Sequence, residues 1–249
     1  MILEIAANSL TSALAAQEGG AGRLELCTAL ELGGLTPSHA QIALARERLH
    51  VPLYVLIRPR AGDFLYSDIE CETMQRDIET CAALGCDGVV LGVLDADGRV
   101  DTARCRTLIA AAGKLGVTFH RAFDLSRDPA QALEDIVALG CERILTSGAQ
   151  ASAVDGAALI RDLVVQANGR LAVMPGAGIT AQNIAALAAA TGAHEFHASA
   201  KRQLPSGMQH RPSLLGDMEG GELRSDAEQV RALVAALQAI PASNSHHDT

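Results

Sequence analysis

Short apolar runs alternate along the chain with longer stretches of helical periodicity, at intervals of roughly 20 to 35 residues. The apolar runs predict eight strands, at residues 2–5, 23–27, 53–57, 88–94, 117–120, 143–146, 171–174 and 195–198. Each strand is followed by a predicted helix, and the last helix covers about residues 225–240. Because strand and helix units in this order favour a parallel sheet closed on itself, the pattern predicts an α/β fold, a single (β/α)8 TIM barrel.

The length of the chain favours one barrel over two domains. The chain has 249 residues, and a barrel of this kind takes about 250. We therefore predict a TIM-barrel domain at residues 1–240 and a disordered C-terminal tail at residues 241–249. Residues 203–224 form a long connection after the eighth strand and contain Pro205, Pro212 and Gly220-Gly221. This connection is interpreted either as a lid or interface, or as an ordinary surface loop.

Charge and hydropathy argue against two classes of partner. The net charge is -9 and the isoelectric point is about 5.3, so the chain lacks the Lys and Arg excess that binds a phosphate backbone, and no nucleic acid is expected. No run of about 18 apolar residues and no basic leader is present, so no membrane partner is expected and a cytoplasmic location is predicted. A homodimer is expected only because dimers are common among soluble proteins.

The fifth predicted strand ends in a cluster of ionisable and aromatic residues, Val117-Thr118-Phe119-His120-Arg121-Ala122-Phe123-Asp124. Side chains alternate along a strand, so Val117 and Phe119 share one packed face while Thr118 and His120 share the other. Asp124 follows in the loop. Parallel α/β folds build their ligand sites at the carboxyl ends of strands, so chemistry is expected at His120 and the loop after it.

Two predicted strands each carry a carboxylate between apolar neighbours, Glu4 in Leu3-Glu4-Ile5 and Glu25 in Leu24-Glu25-Leu26. The outward face of a barrel strand packs on helices, so both carboxylates are expected to point inward, where an unpaired charge is costly. Cationic or hydrogen-bonding partners are available from other strands: Arg58, Arg60, His120 and His197. These groups either converge in a ligand pocket or form a buried network that only stabilises the barrel.

The loops after strands seven and eight consist of small residues, in Pro175-Gly176-Ala177-Gly178-Ile179-Thr180 and His197-Ala198-Ser199-Ala200. Loops of this kind bind phosphate in many barrels because they expose backbone N–H groups. Thr146 and Ser147, after strand six, are expected to add hydroxyl donors. A Gly-x-Gly segment also serves as ordinary turn chemistry, so the pairing of the two loops carries the prediction.

Cys27 lies at the end of the second predicted strand and is the candidate metal ligand. With His120 or His197 it would suit copper or zinc, whereas Glu4 or Glu25 with those histidines would suit a harder ion. The alternative is an inert packing thiol. The six cysteines include no C-x-x-C pair, so free thiols are expected.

The chain resembles the CutC family of copper homeostasis proteins from residue 2 to about residue 211. The resemblance lies in several motifs: Arg23-Leu24-Glu25-Leu26-Cys27, Gly33-Gly34-Leu35-Thr36-Pro37-Ser38, the segment 57–68 that begins Ile57-Arg58-Pro59-Arg60, the segment 117–124, Leu145-Thr146-Ser147-Gly148 and Met174-Pro175-Gly176-Ala177-Gly178-Ile179. It implies a TIM barrel, a cytoplasmic location and a link to copper tolerance. Relatives often have a cysteine directly after the first strand, where this chain has Ala6-Ala7. Cys27 matches the second family cysteine.

Two functions follow from these observations. The first is copper homeostasis with possible binding of copper, in which Cys27 is the soft ligand. The second is an enzyme that acts on a small anionic or phosphorylated metabolite by general acid and base chemistry. A scaffold that acts through partners at residues 203–224 is the third option. The candidate catalytic residues are His120, Glu25 and Asp124, and the candidate substrate-binding residues are Glu4, Arg58, Arg60, Asp63, Arg121, Thr146, Ser147, Gly176, Gly178, His197 and Ser199.

Overall fold

Eight short parallel strands form one sheet in the computed structural model, which describes residues 1–210 and 220–240. The strands are β1 (Ile2–Ala7), β2 (Arg23–Leu26), β3 (Leu53–Leu56), β4 (Gly88–Leu91), β5 (Gly116–Phe119), β6 (Arg143–Thr146), β7 (Ala172–Pro175) and β8 (Glu195–Ala198). Paired strands follow the chain order from β1 to β7, and β8 pairs with β1. A Cβ atom on Gly176, after β7, would lie 3.5 Å from the Cβ of His197 on β8, so the two ends of the sheet meet. The predicted TIM barrel is confirmed.

Helices follow the strands and cover the outside of the barrel. They are α1 (Leu10–Glu18), α2 (His39–Arg48), α3 (Asp68–Ala83), α4 (Thr102–Ala112), α5 (Pro129–Ala138), α6 (Ala157–Ala167), α7 (Ile184–Thr191) and α8 (Ala227–Gln238). Ser38 and Ser67 cap α2 and α3 in capping boxes, each with its own N-cap hydroxyl accepting from a backbone N–H. A turn at residues 181–183 precedes α7, which begins at Ile184.

Strand alternation separates an apolar shell from a polar interior. Ile5, Leu24, Phe119 and Phe196 are fully buried in the core cluster that includes the apolar faces of the helices. The intervening strand positions point into the barrel, where Glu4, at 0% exposure, is among the buried charged residues. The inward orientation predicted for the strand carboxylates is therefore observed.

Three short elements were not predicted from the sequence. Two are 3₁₀ turns, Leu30–Leu32 and Arg121–Leu125. The third is an antiparallel ribbon of β9 (Lys201–Gln203) and β10 (Leu223–Ser225), which joins both ends of the long connection after β8. The interpretation of this connection as a lid or a surface loop stays open, because residues 211–219 lie outside the described residues, as does the predicted tail at 241–249. No helix in the described ranges combines the length and hydropathy needed to cross a membrane.

Candidate active site

A cavity of about 800 Å³ opens at the carboxyl ends of the strands. Four ionisable side chains from different strands form what we call its inner wall: Glu25 from β2, Arg58 after β3, His120 after β5 and His197 from β8. Glu25, Arg58 and His120 are each no more than 6% exposed. The convergence of these groups, which the sequence predicts, is observed.

An ion-pair layer fills the barrel beneath the inner wall, toward the amino ends of the strands. It consists of Glu4, Arg23, Arg143 and Glu195. Glu195 Oε2 accepts from Arg23 Nη2 at 2.6 Å and from Arg143 Nε at 3.0 Å, and Arg23 also pairs with Glu4. The Cζ atoms of Arg23 and Arg143 lie 5.4 and 4.9 Å from the ring centroid of Tyr54. Each charge in this layer therefore has an opposite partner, as burial requires.

Glu4 connects the ion-pair layer to the inner wall. One carboxylate oxygen pairs with Arg23, and the other lies 2.8 Å from His197 Nδ1. Burial alone would raise the pKa of Glu4, but the hydrogen bond with His197 and the charge of Arg23 lower it to about 2. Glu4 is therefore charged near neutrality, and both of its oxygens are occupied by protein partners.

Unlike Glu4, Glu25 has a carboxylate oxygen that no described residue contacts through a hydrogen bond. Its Oε2 atom is buried and has no hydrogen-bond partner. Burial raises the pKa of Glu25 to about 7; the charge of His197 opposes the shift and the charge of Glu4 adds to it. The carboxyl group can thus take up or release a proton near neutrality, as a general base or acid requires.

His197 is hydrogen-bonded to Glu4 and lies close to Glu25. Burial would lower the pKa of His197, but the charge of Glu25 and the hydrogen bond with Glu4 together raise it. Because Nδ1 bonds Glu4, only Nε2 is left to face the cavity. Ligand atoms of Glu4, Glu25 and His197 lie within 4.8 Å of one another. Both Glu4 oxygens contact protein partners, whereas Glu25 keeps a buried oxygen without a hydrogen-bond partner in the described ranges.

His120 is held as a neutral imidazole. Its Nδ1 accepts a hydrogen bond of 3.2 Å from the backbone N–H of Ala122, so the proton resides on Nε2. Burial and the nearby charge of Arg58 lower the pKa of His120 to about 3. Nε2 is buried in the wall of the cavity without a partner. The group is therefore an N–H donor near neutrality, which does not fit the acid and base role predicted from the sequence.

Arg58 uses most of its guanidinium to hold loops. Nη1 donates to the carbonyls of Leu32 and Gly34 at 2.8 and 3.0 Å, and Nη2 donates to Gly62 O at 2.8 Å. Nε is buried without a partner. The two-pronged grip on a ligand anion expected for this residue is therefore not available, because the outer nitrogens are engaged.

Arg60 and Asp63, both predicted to bind substrate, do not line the cavity. Arg60 pairs with Asp63 at 3.0 Å and with Glu70 on α3 at 2.5 Å, and its Cζ lies 5.1 Å from the Tyr66 ring centroid. These contacts stabilise the loop before α3. Both residues are therefore removed from the candidate site.

Asp124 fastens the loop after β6 to the turn after β5. Its carboxylate accepts from Thr146 Oγ1 at 2.5 Å, from the backbone N–H and hydroxyl of Ser147 at 3.0 Å each, and from Arg121 Nε at 2.8 Å. Thr146 and Ser147 are fully buried. Their hydroxyl groups thus do not reach a ligand, whereas Arg121 and Asp124 lie at the edge of the cavity.

Two segments that we call the rim loops, residues 177–180 and 199–201, also line the cavity. The backbone N–H groups of Ala177, Gly178, Ile179, Ser199 and Ala200 have no acceptor among the described residues. Ala177, Gly178 and Ala200 have φ angles of 77°, 74° and 43°, and backbone of this kind makes concave sites for anions. Ser199 and Gly178, both predicted to bind substrate, line the cavity. Gly176 is not, because its N–H donates to Thr146 O at 2.9 Å and it does not line the cavity.

Several cavity residues had not been predicted. They are Ala6, Phe64, Ala177, Ala200, Lys201 and Gln229, among others. An alanine in the left-handed region leaves no signal in a sequence, because glycine is the residue expected there. Lys201 belongs to the ribbon and Gln229 to α8. Both reach the cavity through the fold of the chain after β8, and no sequence motif marks them.

Cys27 does not reach the cavity. It is fully buried with Tyr54, Leu56 and Val90 in an apolar cluster inside the barrel. Burial raises the pKa of the thiol, which disfavours the thiolate that binds copper. Ala6, where relatives often have cysteine, lines the cavity without a thiol. Among the described residues Cys27 belongs to no group of three or more potential metal ligands, and its buried neighbours Tyr54, Leu56 and Val90 offer no soft ligand, so its surroundings do not fit a Cu(I) site.

The fold and the cavity define a class, the (β/α)8 barrels with a polar cavity at the carboxyl ends of the strands. Within this class the chain belongs to the CutC family, whose family model matches residues 1–202. The chain is 58% identical to the family protein CutC of Xylella fastidiosa strain Temecula1 over 235 residues, which is 94% of this chain and 88% of that relative. The family predicted from the sequence motifs is confirmed.

Solved structures agree with this assignment. A CutC protein from Streptococcus agalactiae, named for copper homeostasis, is 35% identical with a TM-score of 0.76, and the match covers 79% of this chain and 97% of that one. Thiamine phosphate pyrophosphorylase from Pyrococcus furiosus is 13% identical with a TM-score of 0.61, over 97% of each chain. The second likeness shows the barrel fold alone.

Proposed function

We propose that this CutC-family chain is an enzyme that moves a proton on a small phosphorylated metabolite. Glu25 acts as the general base, and the rim loops bind the phosphate. The observation that carries the proposal is the buried carboxylate of Glu25, which faces the cavity with one oxygen unpaired. An unpaired buried oxygen is costly and rare in native proteins, so it calls for a partner that the protein does not supply.

The proton chemistry follows from the difference between the two buried glutamates. Glu4 is held in the charged form by Arg23 and His197, so it cannot take a proton near neutrality. Glu25 titrates near pH 7, which is close to the optimum for a general base. His197 lies between them and is positioned to stabilise the charged form of Glu25.

The phosphate site follows from the rim loops. Five backbone N–H groups without acceptors lie on the same cavity as Glu25, and unpaired N–H groups of this kind bind phosphate in many barrels. Lys201 adds a positive charge at the rim. The cavity volume of about 800 Å³ is that of a site for a small organic molecule.

Two measurements test the proposal in turn. Calorimetry with inorganic phosphate tests the rim loops, with Ser199→Glu and Ser199→Gln as a matched pair that differs only in charge. We expect the Gln variant to bind phosphate within about threefold of the original chain and the Glu variant to lose binding by tenfold or more, because a carboxylate repels the anion. Equal binding by both variants would contradict the phosphate site.

The proton transfer is tested without knowledge of the product. Phosphorylated sugars and acids are incubated with the protein in D2O, and exchange of carbon-bound hydrogen is followed by proton NMR. We expect exchange in at least one compound with the original chain and none with Glu25→Gln, which keeps the shape of the side chain but cannot accept a proton. Exchange that is unchanged in Glu25→Gln would remove Glu25 as the base.

A role in copper homeostasis is the second candidate, and the name of the Streptococcus agalactiae relative favours it. The ligand would be Cys27 at the end of β2, as the sequence resemblance implies. Because Cys27 is buried in an apolar cluster and belongs to no group of three or more potential metal ligands among the described residues, no binding step is assigned to copper. Titration of Cu(I) against a chromogenic chelator, with Cys27→Ala as the comparison, tests this role. A stoichiometric site lost in Cys27→Ala would favour copper over the metabolite. Location in the cytoplasm and assembly into a homodimer stay predictions.

A further inference from the structure

We infer that the Nε2–H group of His120 and the Nε–H group of Arg58 together hold a carbonyl oxygen of the substrate. The substrate class is then a phosphorylated carbonyl compound that loses the proton next to its carbonyl group. This inference rests on the proposed function, because it places the substrate in the same cavity. It goes further by naming the group that the substrate presents to the inner wall.

The donor on His120 is fixed by the fold. Ala122 N–H occupies Nδ1 at 3.2 Å, so Nε2 carries the proton of the neutral ring. Gly92 leaves room for the ring, since a Cβ atom there would lie 2.6 Å from Nδ1. The ring is thus held in one orientation, with an N–H group in the cavity wall that no described residue accepts.

The donor on Arg58 is fixed in the same way. Three hydrogen bonds from Nη1 and Nη2 to loop carbonyls hold the guanidinium in place. The remaining Nε–H is buried without an acceptor. A positive charge at this point supports the charge that develops on a carbonyl oxygen, and it needs no movement of the side chain.

Phe64 brings the two donors together. Its ring centroid lies 5.1 Å from Arg58 Cζ and 4.8 Å from the centroid of the His120 ring. All three side chains line the same cavity. The guanidinium and the imidazole therefore both contact one aromatic ring in the wall of the same cavity.

The fourth buried polar atom without a hydrogen-bond partner among the described residues is the Tyr66 hydroxyl, which lies near the charge of Arg58. It does not line the cavity, so it carries no inference about a ligand. Arg58 and His120 each place a rigid N–H donor on the cavity, and Glu25 places an unpaired carboxylate oxygen on the same cavity. One small molecule can bind all three groups. A ligand that presents a carbonyl oxygen and an adjacent acidic C–H group satisfies all three.

The chemical step balances without an external oxidant or reductant. The carboxylate of Glu25 takes the proton from the carbon next to the carbonyl group. The electron pair of that C–H bond forms a carbon–carbon double bond, and the carbonyl π pair moves to the oxygen, which becomes an enolate. The two N–H donors stabilise this oxygen, and a neutral imidazole suits the task because its pKa is closer to that of an enol than an imidazolium's is. The proton then returns from Glu25 to the same carbon, the double bond between the carbons breaks, and the carbonyl group forms again.

Phosphorylated carboxylates of two to four carbons serve as probes, because a carboxylate resembles an enolate in charge and shape. Alkyl phosphates of the same lengths are the controls. We expect one chain length at which the carboxylate binds by calorimetry at least tenfold more tightly than the matched alkyl phosphate. No such length, with inorganic phosphate still bound, would overturn the inference and leave the proposed function in place. Loss of inorganic phosphate binding would instead contradict the proposed function.

Two variants of His120 separate the donor from the structural contact. His120→Gln places an amide N–H near the position of Nε2, whereas His120→Asn places an amide oxygen near Nδ1 and keeps the acceptor for Ala122 N–H. We expect the Gln variant to keep the preference for the carboxylate within about threefold and the Asn variant to lose it by tenfold or more. Equal affinities in the two variants, or the reverse order, would overturn the inference. Nitrogen NMR of the imidazole gives a separate readout: a protonated Nε2 and a bare Nδ1 are expected from pH 5 to 8, and the opposite tautomer would exclude the donor.

Discussion

The ion-pair layer and the inner wall are both buried and charged, but they differ in whether their polar atoms are paired. In the ion-pair layer, Arg23 contacts both Glu4 and Glu195, and Arg143 contacts Glu195 and Thr118. In the inner wall, Glu25, Arg58 and His120 each retain a buried atom without a partner. Burial of charge alone thus does not distinguish a structural network from a ligand site.

The difference assigns a different task to each half of the barrel interior. A network in which every charge is paired holds strands together, and removal of one member leaves a costly charge behind. Unpaired groups lower the stability of the folded chain, so their retention points to a ligand. The sequence-based alternatives of a buried network and a pocket are therefore both present, one above the other in the same barrel.

The largest effect is expected from breaking the ion-pair layer. Arg23→Met leaves Glu195 and Glu4 with one partner fewer in a dry interior, and we expect the free energy of unfolding to fall by about 3 to 5 kcal/mol. Urea unfolding measures it. A loss below about 1 kcal/mol would contradict the assignment of this layer to stability.

Substitution of Glu25 in the inner wall is expected to raise the free energy of unfolding, whereas substitution in the ion-pair layer lowers it. Glu25→Gln should stabilise the chain above about pH 8, by about 2 to 3 kcal/mol, and should change little below about pH 4. The folded pKa of Glu25, about 7, lies above its ordinary value of 4.5. Ionisation of Glu25 therefore removes stability as the pH rises through 7, and glutamine cannot ionise.

Urea unfolding of the original chain and of Glu25→Gln at both pH values checks this prediction. Glu4→Gln serves as the contrast, because the pKa of Glu4 is lowered to about 2 and its charge stabilises the fold above its ordinary pKa. Glu4→Gln should destabilise the chain at pH 8. A stabilising effect of both substitutions would contradict the distinction between the two glutamates.

A smaller effect is expected at Cys27, which is buried beside the inner wall but apolar in its surroundings. Cys27→Ser places a hydroxyl group among Tyr54, Leu56 and Val90, and we expect a loss of about 1 to 2 kcal/mol in the free energy of unfolding. Affinity for inorganic phosphate should stay within about twofold, since the thiol does not line the cavity. A large loss of phosphate affinity would place Cys27 in the site.

The smallest effect is expected at Arg60, which is outside both regions. Arg60→Met breaks half-exposed ion pairs with Asp63 and Glu70, and such pairs contribute about 1 kcal/mol or less. Phosphate affinity is expected to be unchanged in calorimetry. A tenfold loss would return Arg60 to the list of binding residues.

The sequence predicts the strands, the helices and the barrel fold better than it predicts the hydrogen bonds of individual side chains. The alternation around Glu4 and His120 was enough to place both side chains inside the barrel, because a strand has only two faces. The order of strands and helices was enough to predict the barrel. These features depend on local pattern, which a sequence contains.

Contacts with the backbone could not be predicted. The outer nitrogens of Arg58 donate hydrogen bonds to the carbonyls of Leu32, Gly34 and Gly62. The tautomer of His120 is set by the backbone N–H of Ala122, two residues away. Carbonyl and N–H groups are the same at every position of a sequence, so only coordinates show which of them meet a side chain. Thr146 and Ser147 were expected to face a ligand for a different reason: their hydroxyl groups bond the carboxylate of Asp124, which lies far from them in the sequence and meets them only in the folded chain.

The claim that the inner wall is built for a ligand is tested most directly by the protonation of Glu25. Carbon NMR of the side-chain carboxyl groups across the pH range, with Glu25→Gln to assign the signal, measures it. The account predicts one glutamate carboxyl that titrates near pH 7 and disappears in the variant. Titration of every glutamate carboxyl below about pH 5, as unperturbed groups do, would contradict it.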